Sequence, residues 1–395
     1  MLTAPASPAE RGKHTISGGA FSRLSDMIRG MNYGLYIHVP CCLRKCSYCD
    51  FHSQAMTDAE TRAFADALES ELDSLPADFS PATIFIGGGT PTALPEDVLT
   101  RLLDAVRGRV NTGRVEEWSC EANPGTLTEG KIQVLLNGGV NRVSLGIQTF
   151  DEKLLKFLNR IHTGEEAAES FRALRTAGFQ NIGADLIYGL PGGSARQVEN
   201  DLNRLLELGP EHISCYCLSI EPGTALARMS VSEADDEEAL AQYHLIRRTL
   251  GAAGYEHYEI SNFARPGREC RHNLLYWEGG EYIGCGPSAH SHWNGARRAN
   301  EKDMQDYILH GPRRAFEERL TPEARARETL VMSLRKIRGV SRTLFGKQTG
   351  FDYYALCGPA IEKLIADGLL KQDGDFLQLT DSALFVSNQV FVELV

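Results

Sequence analysis

Between residues 34 and 220 short apolar runs alternate with helix-like segments. The strand-like runs fall at 34–39, 82–86, 115–120, 141–147, 181–187 and 212–219, and helical patterns fill the gaps at about 57–75, 95–108, 128–138, 164–177 and 196–208. This alternation constrains the chain more than any other feature. Parallel strands need a long crossover, usually a helix, and the crossover is right-handed. Thr57 and Glu60 have the spacing of a capping box that opens the first helix. Six such units suit a partial (β/α)6 barrel of TIM type; periodicity alone leaves an eight-fold barrel or a doubly wound sheet open. In all three, chemistry belongs at the C-terminal ends of the strands.

Three cysteines stand just past the end of the first strand. Cys42, Cys46 and Cys49 have C-x3-C-x2-C spacing, and Pro40 ends the strand before them because it offers no N–H to a ladder. Thiolates are soft ligands that select zinc or iron–sulfur clusters. A closed zinc site needs four ligands; the chain has no second C-x2-C pair, and His38 or His52 would have to supply the fourth. Three thiolates alone suit a 4Fe–4S cluster with one iron left open. Cys41 is read as a small apolar residue beside the cluster, the alternative being a ligand swap with Cys42.

The spacing resembles that of radical S-adenosylmethionine (radical SAM) proteins, whose fold is the partial (β/α)6 barrel. The resemblance implies that the amino and carboxylate groups of SAM chelate the open iron. The stretch Phe85 to Thr92 contains three successive glycines followed by Thr90; it is similar to the glycine motif that holds the methionine end of SAM in that family. Glu121, Gln148, Arg160 and Asp185 follow at or just after successive strand ends. Singly each has a bland reading, such as a helix cap; together they converge on one barrel mouth. Over residues 33–395 the chain resembles the oxygen-independent coproporphyrinogen III oxidases and their HemW-type haem-chaperone relatives. By motif, that resemblance makes Cys42, Cys46 and Cys49 cluster ligands, Tyr36, Gly88, Gly89, Thr90 and Glu121 SAM contacts, and Tyr48, Gln148, Arg160 and Asp185 further SAM or substrate-side contacts.

Two features separate the branches of this family. The oxidases resemble C-x3-C-x2-C-x-C, whereas Phe51 stands at the fourth position here. The run Cys270 to Trp277 carries the H-N-x-x-Y-W signature of the chaperone branch in His272, Asn273, Tyr276 and Trp277. His272 is a candidate haem ligand or propionate partner, Cys270 a rival ligand, and Tyr276 and Trp277 offer flat faces to a porphyrin. The bland alternative is a packed segment in which Trp277 fills a core gap and His272 caps a turn. The chaperone reading implies haem as cargo, acceptor proteins that receive it, and an electron donor if SAM is cleaved. The alternatives are anaerobic decarboxylation of coproporphyrinogen III to protoporphyrinogen IX, and a radical SAM methyltransferase.

Composition bounds partners. The net charge of −11 argues against nucleic acid; Arg325, Arg327, Arg335, Lys336 and Arg338 read as a solvated helix face. No apolar run approaches the length of a membrane span. Ten cysteines without an export signal point to a reducing, cytoplasmic setting. Residues 1–30, rich in Ala, Ser, Gly and Pro, read as a mobile leader or a mis-assigned start before Met31. The barrel core is expected over 31–225 and an extension over 226–315. That extension includes a helix at 236–253, a strand at 255–260 and then an irregular stretch to about 300. A small winged-helix-like α+β unit resembling the C-terminal domain of the oxidases is expected over 316–395, with helices near 322–337 and 353–367 and a hairpin through 369–379. Replacing Cys42, Cys46 or Cys49 by Ala is expected to abolish the iron–sulfur chromophore after anaerobic reconstitution, whereas Cys41→Ala retains it; visible absorption reads both.

Overall fold

The computed structural model describes residues 33–229 and 231–395, and residues 33–395 group as one compact unit. The expected leader lies outside the described residues. Six parallel strands form the centre: β1 (Gly34–Val39), β2 (Thr83–Gly88), β3 (Glu117–Ala122), β4 (Arg142–Gln148), β5 (Ile182–Tyr188) and β6 (His212–Cys217). Helices α1 (Asp58–Leu72), α2 (Glu96–Arg109), α3 (Glu129–Gly138), α5 (Gly164–Ala177) and α6 (Ala195–Leu208) supply the crossovers, with a short α4 (Glu152–Phe157) ahead of α5. Thr57 and Glu60 form the expected capping box at α1.

Along each strand the side chains alternate. Leu35 and Ile37, Ile84 and Ile86, Val143 and Leu145, and Ile213 and Cys215 enter the hydrophobic core. The intervening positions, among them Tyr36, Thr83, Glu117, Ser119, Glu121, Arg142, Ser144, Asp185, His212 and Ser214, form the other face. The strands are therefore not uniformly apolar.

The sheet is larger than six strands. Past β6 it adds β8 (Asn262–Ala264) and β7 (Glu256–Glu259); past β1 it adds β9 (Tyr282–Cys285), β10 (His290–Trp293), β11 (Ala296–Asn300) and β12 (Arg314–Arg319). β9 pairs parallel with β1, and β10 to β12 follow antiparallel. The stretch expected to be irregular thus holds five ordered elements: β8, α8 (Arg271–Trp277) and β9 to β11. Its glycines mislead for a physical reason. At Gly284 a Cβ would stand 2.0 Å from the His290 carbonyl oxygen, so glycine there permits tight packing rather than breaking a strand. α7 (Asp236–Ala252) matches the expected helix, and α9 (Met304–His310) precedes β12. The C-terminal unit runs α10 (Pro322–Leu334), β13 (Val340–Ser341), α11 (Arg342–Thr349), α12 (Tyr353–Ala366), β14 (Leu370–Asp373), β15 (Phe376–Leu379) and α13 (Ser387–Val392). Helix, strand, two helices and a hairpin give a winged-helix order; α11 and α13 are the helices that periodicity missed. No helix among the described residues is long and apolar enough to cross a membrane.

α8 sits against the N-terminal ends of the strands. The buried Glu117, at the start of β3, accepts the backbone N–H of Arg271 at 3.0 Å and of His272 at 3.2 Å. It thereby satisfies donors that the helix itself leaves free. Arg142, at the start of β4, is 2% exposed, and its Nη1 lies 3.5 Å from Ser119 Oγ. Burial works against its charge, but Cys270, Glu117, Tyr258 and Asp185 hold its pKa above the usual value. Glu117→Ala is expected to cost about 1–3 kcal/mol by uncovering buried donors. Glu117→Gln, which keeps an acceptor oxygen, should cost less; thermal melts followed by circular dichroism compare the two.

Candidate functional site at the barrel mouth

The cysteine loop leaves β1 at Pro40 and is joined at once to the glycine triplet after β2. Gly89 N–H donates to the Val39 carbonyl at 2.8 Å and Thr90 N–H to the Cys41 carbonyl at 2.7 Å. A Cβ on Gly89 would stand 2.7 Å from the Cys41 oxygen, and one on Gly88 2.5 Å from the His38 ring. Gly88 also has φ +105°, which L side chains rarely adopt. The triplet is therefore the joint that lets the cysteine loop approach β2.

Cys42, Cys46 and Cys49 are all free thiols of intermediate exposure, whereas Cys41 is 2% exposed and packs in the hydrophobic core. Cys42 Sγ lies 3.6 Å from Thr90 Oγ1. The three thiols are within electrostatic reach of one another. Burial raises the pKa of Cys42 and Cys49; Cys46 adds to both and Cys42 to Cys49, while Arg160 opposes the shift at Cys42 and Lys45 at Cys49. Among the described residues no three His, Cys, Asp or Glu side chains form a site for a single metal ion. Zinc requires such convergence. A cubane does not, because each of its thiolates binds a different iron. The donor set of three neighbouring, accessible thiols with cations beside them fits a cluster ligated by cysteine.

The mouth is acidic. Glu121 Oε2 accepts the Gly88 N–H at 3.0 Å. Burial, and then the Asp185 carboxylate, push Glu121 up to about 7, against that hydrogen bond. Asp185 is also raised by burial, opposed by Ser214, Arg142 and Ser144; Ser144 Oγ donates at 3.2 Å. Asp185 is the fourth of seven residues in β5 and Tyr36 the third of six in β1, so both sit within strands rather than at their ends. Tyr36 donates its hydroxyl to His38 Nδ1 at 3.0 Å, since His38 Nε2 must donate to the His52 carbonyl at 2.8 Å. Gln148 ends β4 in a left-handed conformation, φ +70°, beside a register shift.

Arg160 makes two hydrogen bonds. Its Nη1 donates to Cys46 Sγ at 3.2 Å and its Nη2 to the Gly146 carbonyl at 2.5 Å. Tyr48 packs against the same guanidinium and against Cys46. The structure thus brings together the cysteines, Thr90, Gly88, Glu121, Asp185, Tyr48 and Arg160. Periodic reading missed Ser144, Ser214 and Arg142. A signal for them exists in polar residues two apart within otherwise apolar strands, as in Arg142 and Ser144.

The haem candidates lie elsewhere. His272 is 1% exposed, with Nδ1 2.8 Å from Thr83 Oγ1 and Nε2 2.7 Å from the Tyr276 hydroxyl. Burial, with Arg142 adding, pushes it down to about 3. Cys270 is 1% exposed, its thiol 3.5 Å from Glu117 and pushed up to about 12 by burial. Tyr276 also packs edge-on against Tyr282, and the Trp277 ring lies 4.4 Å from the Arg335 guanidinium of the C-terminal unit. Both ring nitrogens of His272 are engaged and both residues are interior, which is the packed-segment arrangement, at the barrel floor.

Comparison with known proteins follows the same division. Residues 36–205 match the radical SAM superfamily and residues 320–386 the HemN C-terminal domain. A heme chaperone HemW from Lactococcus lactis is 37% identical over 362 residues, covering 90% of this chain and 95% of that protein. The Escherichia coli heme chaperone HemW is 34% identical over 381 residues, covering 92% and 98%.

The chain belongs to the HemW family.

Coproporphyrinogen III oxidase (HemN) from Escherichia coli shares the fold, with a TM-score of 0.81 at 23% identity over 95% of this chain and 92% of that one. Radical SAM membership of the HemW family implies an iron–sulfur cluster and SAM.

The carboxylate at the mouth gives a pH signature. Glu121 is raised in the folded state, so folding is favoured by its proton. That contribution is complete below about 4.5 and is lost as pH rises through about 7. Glu121→Gln keeps the acceptor for Gly88 and removes the ionisation. Without SAM, its stability relative to wild type is expected to improve between pH 5 and pH 8, by up to about 3 kcal/mol. Urea titrations at the two pH values check this.

Proposed function

We propose that this protein binds haem and hands it to acceptor proteins, on a radical SAM scaffold that carries a 4Fe–4S cluster and SAM. The observation that carries the reading is family membership along nearly the whole chain. The HemW relatives are named as heme chaperones, and the proposal extends that activity to this chain. Phe51, 64% exposed, stands where a fourth cysteine would follow in the oxidase pattern, which supports the same reading.

In this proposal Cys42, Cys46 and Cys49 hold the cluster, which supplies the electron-transfer chemistry of the superfamily. Gly88, Gly89 and Thr90 shape the backbone beside it and leave room for the methionine end of SAM. Tyr36, Glu121, Gln148 and Asp185 are the polar residues assigned to SAM, where carboxylates suit ribose hydroxyls and an ammonium group. The raised pKa values of Glu121 and Asp185 favour a bound cation or hydroxyl donor as a partner. The run His272 to Trp277 acts from below, fixing the floor rather than touching the iron of the haem. A cytoplasmic location belongs to the same proposal.

Anaerobic reconstitution with SAM, coproporphyrinogen III and haem tests the assignment. Haem binding without useful coproporphyrinogen turnover is expected. No haem binding together with SAM-dependent formation of protoporphyrinogen IX would replace the chaperone by the oxidase. His272→Ala is expected to keep the wild-type haem spectrum while lowering thermal stability by about 1–3 kcal/mol, since it strands the buried hydroxyls of Thr83 and Tyr276. A changed haem spectrum in a variant that melts like wild type would restore His272 as a ligand.

A further inference from the structure

The cysteine loop is gripped by four consecutive residues, the last of α4 and the three after it. The Phe157 carbonyl accepts the Ser47 hydroxyl at 3.1 Å, and the Leu158 carbonyl accepts the Ser47 N–H at 3.0 Å. Asn159 Nδ2 donates to the Lys45 carbonyl at 2.9 Å, and Arg160 Nη1 donates to Cys46 Sγ at 3.2 Å. Asn159 has φ +57°, a left-handed turn that asparagine tolerates better than most residues. The buried His162 anchors the far side of the segment, with Nδ1 3.1 Å from Asn123 Oδ1 and Nε2 3.2 Å from the Ile147 carbonyl. A segment fixed at both ends thus delivers one side-chain N–H to one particular sulfur.

Two of the five guanidinium N–H groups are engaged. One arm is on Cys46, the other on the Gly146 carbonyl, and Nε is buried without a partner among the described residues. The Nη1 arm makes a charge-assisted contact with one particular sulfur. Its chemistry is that of a cation aimed at a thiolate. Reduction adds negative charge to a cluster and its sulfurs, so a cationic N–H donor stabilises the reduced form more than the oxidised one. Hydrogen bonds to the sulfurs and outer-shell partners are known levers on cluster potential.

We propose that Arg160 is a positioning residue for the cluster ligand Cys46, making the cluster easier to reduce, and that Asn159 clamps the loop so that this contact is kept. The proposal rests on the cluster reading above and adds a role for Arg160 distinct from holding SAM.

The test uses the full chain, wild type and the variants Arg160→Met, Arg160→Lys and Asn159→Gly, each reconstituted anaerobically. Iron and sulfide content and thermal melts establish loading and folding. Midpoint potentials come from redox titration followed by electron paramagnetic resonance, and SAM affinity from calorimetry. Arg160→Met is expected to shift the midpoint to more negative potential with SAM affinity little changed, and Arg160→Lys to shift it less. Asn159→Gly keeps the left-handed turn and is expected to leave the midpoint near wild type but to lose iron to a chelator several-fold faster, in line with one lost hydrogen bond of about 1 kcal/mol. An unchanged midpoint in folded, loaded Arg160→Met overturns the proposal. So does a loss of SAM affinity of about ten-fold or more with an unchanged midpoint, which would place Arg160 on SAM. If Arg160→Met takes up no cluster, the midpoint of Arg160→Lys decides on the same criterion. A wild-type chain that assembles no cluster overturns the cluster reading itself, an outcome distinguishable from failure of the Arg160 assignment.

Discussion

Arg142 is a fully buried guanidinium in the middle of a twelve-stranded sheet, and much of the structure follows from keeping it company. An isolated charge in such a place is expensive, and pairing is what makes it tolerable. Glu117 and Asp185 are within its electrostatic reach, and Ser119 lies at hydrogen-bond distance. Glu117 in turn holds the first N–H groups of α8. One buried charge therefore ties β3, β4 and β5 to a helix that arrives from residue 271. The same requirement explains why serines, rather than valines or leucines, stand beside it on the inner face of the strands.

This arrangement divides the barrel along its length. At the floor, His272, Tyr276 and Thr83 form a closed hydrogen-bonded chain, with every ring nitrogen of His272 used. Such a site is rigid, because each polar group already has its partner. At the mouth, Glu121 and Asp185 face each other with raised pKa values, a state that a bound cation or hydroxyl donor relieves. The cysteine loop belongs to the mouth but is held independently, by the glycine joint on the β2 side and by residues 157–160 on the other. The loop keeps three cysteines at intermediate exposure while burying a fourth, Cys41, directly beside them.

Much of this was legible in the amino-acid order because it depends on neighbours in sequence. The six parallel strands and their crossover helices lie within a few residues of where hydrophobic period places them, since alternation and capping are local properties. The cysteine spacing, the Gly88–Gly89–Thr90 turn and the apolar reading of Cys41 are local in the same sense. The C-terminal helix pair and hairpin were legible too, apart from α11 and α13, whose eight and six residues carry too little apolar stripe to stand out.

What the tertiary structure decided is which distant residues meet. β9 joins β1 although some 240 residues separate them in sequence, and nothing in a four-residue strand announces its partner. The run from Cys270 to Trp277 has aromatic and imidazole groups fit for a porphyrin, yet burial against Thr83, Glu117 and Arg335 spends them on packing. Arg160 was legible as a cation near the mouth, but only the left-handed turn at Asn159 and the register of Gly146 aim it at Cys46 rather than outward. Sequence determined the units and the chemical groups; three-dimensional pairing determined which of those groups face a ligand, because exposure is a property of the assembled sheet and not of any segment within it.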